Sequence, residues 1–305
     1  MNILSFGEIL WDVFPEKSVI GGAPFNFSAH CVRLGADVDF ITAVGRDELG
    51  TKTLASIQAQ GVSDALVGLS SYPTGVCSVT VDRQGSPCYR LQYDMAYDHI
   101  VPNEMQWKKI LQEPYQAFYF GTLAQRHAES RATLSRILSQ HRFCHVLYDM
   151  NIRQNWYDRE VLAKSLSACT MLKFSREESG VLVETGLVDT RREDFSETGD
   201  YYRALCSAVS RNYDIGMVLL TLDKEGAMLY DARDKRFYDS EKPKSRVVST
   251  VGAGDSFAAC FLYHYLKGNS MESCLHKAIL LSDYVVRNVE AIPSYPKKLI
   301  QQLTS

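Results

Sequence analysis

The chain has 305 residues, 46% apolar and 23% charged, a composition that buries a large core and excludes the disordered and fibrous classes. A formal net charge of -3 offers no general field to nucleic acid or anionic lipid, and no apolar run approaches a membrane span. The N-terminal "NILSFG" lacks the order of a secretory signal, so a cytoplasmic protein with neither nucleic-acid nor membrane partners is expected. Eight cysteines without a C-x-x-C pair, and without histidine at metal spacing, read as reduced thiols.

In chain order, "ILSFG" reads as a strand and "PFNFSAHCVRLG" as a helix opened by Pro24 and closed by Gly35. "VDFITAVG" is strand-like, and "DELGTKTLASIQAQG" is a helix stopped by Gly61. Between Gly75 and Tyr93, "GVCSVTVDRQGSPCYRLQY" alternates polar and apolar residues around a turn at Gly85, which predicts a hairpin. The βα rhythm then resumes: strand "AFYFG", helix "AESRATLSRILSQH", strand "HVLYD", helix "REVLAKSLSA", strand "TMLKFS" and strand "MVLLTL". This predicts an α/β fold with a mostly parallel sheet flanked by helices. The hairpin, with Ile9 to Val19, predicts a small projecting β-sheet lid built from segments near 9–20 and 75–98 of one domain spanning 1–305. The acidic stretch from Asp189 to Asp200 reads as a solvated loop.

Two glycine loops carry the chemistry. In "STVGAGDSFAACFLYHYL", Gly252 and Gly254 let successive N–H groups converge beside Ala253, and a helix starting near Asp255 adds its positive end. Asp255 is either a plain first-turn acid, worth up to ~1 kcal/mol, or a base. An acid beside an anion hole makes sense where a neutral hydroxyl loses its proton while attacking a phosphorus. In "GEILWDVFPEKSVIGGAPFNFSAHCVRLG", Gly21 and Gly22 permit close backbone approach, Asn26 offers donors and an acceptor, and Asp12 accepts from hydroxyls. That set suits a polyol, or equally a tight helix entry. Gln125 and Arg126 follow the "FYFG" strand end, a position suited to sugar contact. Trp11, Trp107 and Trp156 read as packing or lid surfaces, and His30 as a core histidine.

Together, "GGAPFNFSAHCVRLG" and "TVGAGDSFAACF" resemble the two signature regions of the ribokinase-like sugar kinases, the PfkB family. "GEILWDVFPE", "AVGRDELG", "TGVCSVTVDRQGSPCYRL", "GTLAQR", "DMNIRQNWY", "MLKFSREE" and "AIPSYP" look like its bacterial fructokinases along nearly the whole chain. The resemblance implies a Rossmann-like α/β domain with a β-sheet lid. It implies Asp255 as general base, Gly252, Ala253 and Gly254 as anion hole, and Asp12, Gly22 and Asn26 at the sugar. In "DMNIR", it places Asn151 at sugar or phosphate and Arg153 at the γ-phosphate. Glu178 would organise Mg2+ through water, and Thr221 and Gly226 would lie along the nucleotide, so ATP and Mg2+ are the implied cofactors. Four positions depart from the family pattern: Ser249 for Asp, Ser175 for Asn, and Asp223 and Glu290 for Gly. They surround the cation and nucleotide sites. The expected function is an ATP-dependent sugar kinase acting on fructose. The alternatives are a kinase of another ketose, furanose or keto-sugar acid, and a catalytically weak sugar-binding regulator. A homodimer through the lid edges is a further expectation.

Overall fold

A computed structural model describes residues 1–81 and 87–304. The expected turn at Gly85 lies outside the described residues. The first part of the chain forms β1 (Asn2–Phe6), β2 (Leu10–Val13), β3 (Ser18–Gly21), α1 (Ala23–Leu34), β4 (Asp37–Gly45), α2 (Glu48–Ala59), β5 (Val67–Ser70), β6 (Gly75–Val81) and β7 (Pro87–Leu91). Strands and helices then alternate: α3 (Glu104–Gln112), β8 (Ala117–Gly121), α4 (Ala128–Gln140), β9 (His145–Asp149), α5 (Arg159–Ala168), β10 (Met171–Ser175) and α6 (Arg176–Glu184). The last part holds α7 (Thr198–Tyr213), β11 (Met217–Thr221), β12 (Ala227–Asp231), β13 (Arg236–Asp239), α8 (Ala253–Leu266), α9 (Met271–Val285) and α10 (Lys297–Thr304).

Local chemistry sets many of these ends. Pro24 sits in the first turn of α1, and Gly35 ends it with φ 102°. Asp47, Asn103 and Asp158 cap α2, α3 and α5 by accepting from the N–H groups three residues on, which satisfies donors the helix cannot. The acidic stretch is mostly exposed as far as Glu197, with a 3-10 turn at Arg192–Asp194 and Thr190 buried. Asp200 belongs to α7, where an acid in the first turn complements the helix dipole.

Nine strands form one sheet in the order β13-β12-β11-β10-β9-β8-β1-β4-β5. All neighbours pair in parallel except at β12 and β13, which form an antiparallel edge. Strand alternation feeds two cores. Along β8, Phe118 and Phe120 pack with residues of α4 to α7, whereas Ala117 and Tyr119 pack with α1, α8 and α9. Both faces are covered, as a parallel sheet requires.

Four strands make a second, small sheet in the order β3-β2-β6-β7. Both stretches expected to project supply it, with hairpins β2–β3 and β6–β7 joined by parallel pairing of β2 and β6. Its boundaries are narrower than expected, because residues 96–99 form a 3-10 turn against the main body. In the large sheet, β1 has β4 on one side and β8 on the other, and the chain winds away in opposite directions. Such a switch point opens a crevice at the carboxyl ends of the strands.

Phe27 of α1 is fully buried and stacks on Tyr119 of β8, with ring centroids 3.8 Å apart. Phe27→Ala is expected to lower unfolding free energy by ~3–5 kcal/mol in denaturant titrations with an unchanged slope. A loss below ~1 kcal/mol would show that α1 is held by other contacts.

Candidate active site

The crevice is a cavity of about 720 Å³ that takes its walls from both sheets and the head of α8. The turns after β1 and β9 bring Glu8 and Asn151 to it, and the carboxyl ends of β10 and β11 bring Ser175 and Thr221. The small sheet contributes Leu10 and Asp12, alternate residues of β2 and hence on one face, with Cys77 in register beside Asp12.

Asp255 lies in the first turn of α8 and is 6% exposed. Asn26 in α1 donates from Nδ2 to Asp255 Oδ2 at 2.8 Å, a bond between residues 229 positions apart. Burial pushes the Asp255 carboxyl above its usual value, while Asn26, Lys173 and Arg153 pull it back toward ionisation. A carboxylate raised in this way is a stronger base than a solvated one. The same bond fixes the Asn26 amide with Oδ1 facing inward, buried and without a partner among the described residues.

The loop before α8 is set by close packing. Gly252 has φ 80°, and a Cβ there would stand 2.7 Å from the Ala291 carbonyl oxygen, so no other residue fits. His30 holds that last loop in place through Ala291 O at 2.9 Å and through the Tyr295 hydroxyl. Burial lowers the pKa of His30 to about 3, which confirms a neutral core histidine. Of the three residues expected to form an anion hole, Ala253 differs: its N–H donates to Thr250 O at 3.3 Å. The amides of Gly252 and Gly254 make no such loop bond with any described residue.

Lys173 enters the site from β10. Its Nζ lies 3.0 and 3.1 Å from the two oxygens of Asp149, which also accepts from the Tyr119 hydroxyl at 3.2 Å. Burial opposes the ammonium, but Asp149, Glu178 and Asp255 outweigh it and hold Lys173 charged. A Cβ on Gly254 would come within 2.8 Å of this Nζ, so the cation sits directly under the glycine loop. Glu178 accepts from Ile152 N at 2.6 Å and from Ser175 N at 2.7 Å, strapping the turn after β9 to the head of α6.

The cavity therefore gathers Asp12, Gly21, Gly22, Asn26, Asn151, Arg153, Glu178, Thr221, Gly226, Gly252, Ala253, Gly254 and Asp255. Gln125 is not among them. A 3-10 turn at Leu123–Gln125 rolls its side chain back into the protein, where Nε2 donates to Gly121 O and Ser165 Oγ. Arg126 likewise forms a two-pronged pair with buried Asp98. Trp11 is a packing residue, donating to Thr53 Oγ1 at 2.8 Å. Sequence reasoning missed Glu8, Asp149 and Lys173. Lys173 had a legible signal, a lone charge in a central apolar strand, and Glu8 had a similar one at the end of β1.

A buried carboxylate beside a glycine loop at a helix head, in the crevice of a wound sheet, matches what a phosphotransferase site needs. The family model for pfkB family carbohydrate kinases matches residues 6–298, and the chain belongs to that family. It is accordingly an enzyme that transfers a phosphoryl group to a sugar hydroxyl. Among curated relatives, the ATP-dependent 6-phosphofructokinase of Thermoanaerobacterium thermosaccharolyticum is 23% identical over 97% of this chain and 91% of its own length. The structure of a fructokinase with bound ATP from Xylella fastidiosa superposes with TM-score 0.80 at 20% identity, covering 99% of this chain and 97% of that one. A 2-dehydro-3-deoxygluconokinase from Thermotoga maritima superposes with TM-score 0.81 at 19% identity, covering 99% of each chain.

Glu8 yields a test by pH. Burial raises its carboxyl from 4.5 to about 7, against backbone N–H groups and Arg153. The folded protein then keeps a proton that the unfolded chain releases, so stability falls as pH rises from 4.5 to about 7. Glu8→Gln is expected to remove that part of the pH dependence in denaturant unfolding. Parallel wild-type and variant profiles across this window would show that Glu8 ionises normally.

Proposed function

We propose that the chain is an ATP-dependent kinase of a small neutral sugar, with fructose the preferred acceptor. The observation that carries this reading is Asp255, buried at the head of α8 and aimed by Asn26 into a cavity with polyol-binding groups on one side. The attacking hydroxyl would sit beside Asp255, which takes its proton as the oxygen closes on the γ-phosphorus. The Gly252 and Gly254 amides and the Lys173 and Arg153 cations would stabilise charge on the transferring group. Arg153 is exposed and makes no ion pair with any described residue, so its guanidinium is available for this role.

The sugar end argues for a neutral acceptor. Glu8 and Asp12 both face it, and Glu8 Oε2 is a buried acceptor without a partner among the described residues. Two carboxyl groups and the Asn26 amide suit hydroxyls, whereas a sugar carboxylate or phosphate would meet both acids. A keto-sugar acid is the second reading, because Arg153 could pair with its carboxylate. The intact Asp255 disfavours a catalytically weak binder.

The nucleotide would extend past Thr221 and Gly226, where Val247, Ile279 and Val286 offer apolar wall for a base. Asp223 stands at φ 53°, a left-handed position where glycine is favoured and aspartate is among the residues that tolerate it. Mg2+ fits the donors at the phosphate end, since Glu177, Glu178 and Asp223 supply hard oxygens. Bound there with the phosphates, it would neutralise their charge as the hydroxyl oxygen approaches. Glu178 could reach it only through lone pairs left by its two backbone bonds. We also propose that the small sheet acts as a lid, and that its outer strands β3 and β7 offer edges for a homodimer.

ATP consumption over a panel of fructose, ribose, a keto-deoxy sugar acid and fructose 6-phosphate tests the reading, with ligand-induced thermal shift alongside. Fructose should give the highest kcat/KM, and Asp255→Asn should lower kcat about 10²- to 10⁴-fold with sugar binding retained. Turnover of only the acidic sugars would move the assignment to them, and a thermal shift without turnover would make the chain a binder.

Cation dependence is a separate expectation. Ser249 Oγ accepts from Val251 N, and Glu290 is exposed and outside the cavity wall, so Glu290 does not stand in for the missing acid. Activity should be flat between sodium, potassium and a bulky organic cation at fixed ionic strength, and Ser249→Asp should introduce a potassium preference. Several-fold potassium activation of the wild type would refute this.

A further inference from the structure

Away from the cavity, where α4 begins and the chain leaves β7, four residues with metal-binding side chains converge. Among the described residues, Asp94, His99 and His127 each present a ligand atom within 4.8 Å of the others. None of the three lines the active cavity. Two imidazoles and a carboxylate form a mixed nitrogen and oxygen set, unlike the all-oxygen surroundings preferred by Mg2+.

Two details go beyond proximity. Nε2 of His99 stands 3.3 Å from Oδ1 of Asp94. Ligands about 2 Å from a tetrahedral ion lie about 3.3 Å apart, so this pair already has the required spacing. On the other side of the ring, Nδ1 of His99 lies 2.5 Å from Glu129 Oε2. A carboxylate on the second nitrogen fixes the Nδ1–H tautomer and leaves the Nε2 lone pair facing outward, the arrangement that orients metal-bound histidines. Tyr72 stacks flat on the His99 ring at 3.5 Å, and the His127 ring centroid is 4.2 Å away, so the imidazole is walled in. His127 itself is positioned as the cap of α4.

We propose that Asp94, His99 and His127 form a site for one late first-row divalent cation, of the Zn2+ or Co2+ type, with Glu129 as the residue that orients His99. The remaining coordination position faces solvent, because the Asp94 side chain is 58% exposed. The ion would clip the segment leaving the small sheet to the head of α4 and the turn at Ala96–His99. The competing occupant is a proton, which would make His99 an imidazolium between Asp94 and Glu129 and would give His127 no part.

The test uses the full chain, freed of metal by chelator and titrated with Zn2+ and, separately, Co2+. Wild type should bind one equivalent of Co2+ with the visible bands of a low-coordinate site and should gain thermal stability with Zn2+. Both effects should be lost in His127→Ala and Asp94→Asn, which alter side chains that are not buried and leave the core untouched. Glu129→Gln should weaken Zn2+ binding about 10- to 100-fold. Equal Zn2+ responses in wild type and His127→Ala would overturn the proposal and assign the ion to the carboxylates of the active cavity. Absence of Co2+ bands in the wild type would overturn it in favour of the proton.

Discussion

The hydrogen bond between Asn26 and Asp255 is the constraint around which this molecule is arranged. It joins the heads of α1 and α8, helices from opposite ends of the chain, and it is buried, so both helices must approach closely and in one register. Ala258 and Ala259 on α8 are fully buried and small, which permits that approach, and Cys31 of α1 packs in the same core. An unpaired Asp255 at this depth would be costly, so the amide stabilises the fold while it aims the carboxylate.

Charge balance explains how several acids can share one cavity. The cavity holds Asp255, Glu8 and Asp12, but Lys173 lies beneath the glycine loop and Arg153 at its rim. Lys173 is kept charged by the acids around it and pinned by Asp149, so its position is preset before any ligand arrives. The small sheet completes the balance from the other side. Asp12 is raised above its usual value by burial, against a hydrogen bond from Cys77 and the charge of Arg153.

Two departures from the family pattern acquire local explanations in three dimensions. Ser175 caps α6, accepting from Glu178 N while Glu178 returns to Ser175 N, so the serine serves the backbone. Asp223 occupies a left-handed position that glycine would also satisfy. The Gln125 side chain turns into the protein for a related reason. A position beyond a strand's carboxyl end predicts proximity to a ligand, but a single 3-10 turn decides which way the side chain points. Lys173 and Glu8 escaped notice because a charge in an apolar strand has meaning only once the strand's neighbours are known.

Period and punctuation in the sequence determined the wound α/β architecture and the projecting hairpins, since alternation and glycine or proline breaks act within a few residues. The glycine loops and their two acids were legible for the same reason, as backbone conformation and helix ends are local properties. Tertiary structure alone decided which polar groups share the cavity, because Asn26 and Asp255, or Asp149 and Lys173, meet only when distant strands and helices stack. It also decided the state of those groups. Burial and neighbouring charge, which no linear pattern encodes, set the protonation of Glu8, Asp255 and Lys173 and thereby the chemistry the site can perform.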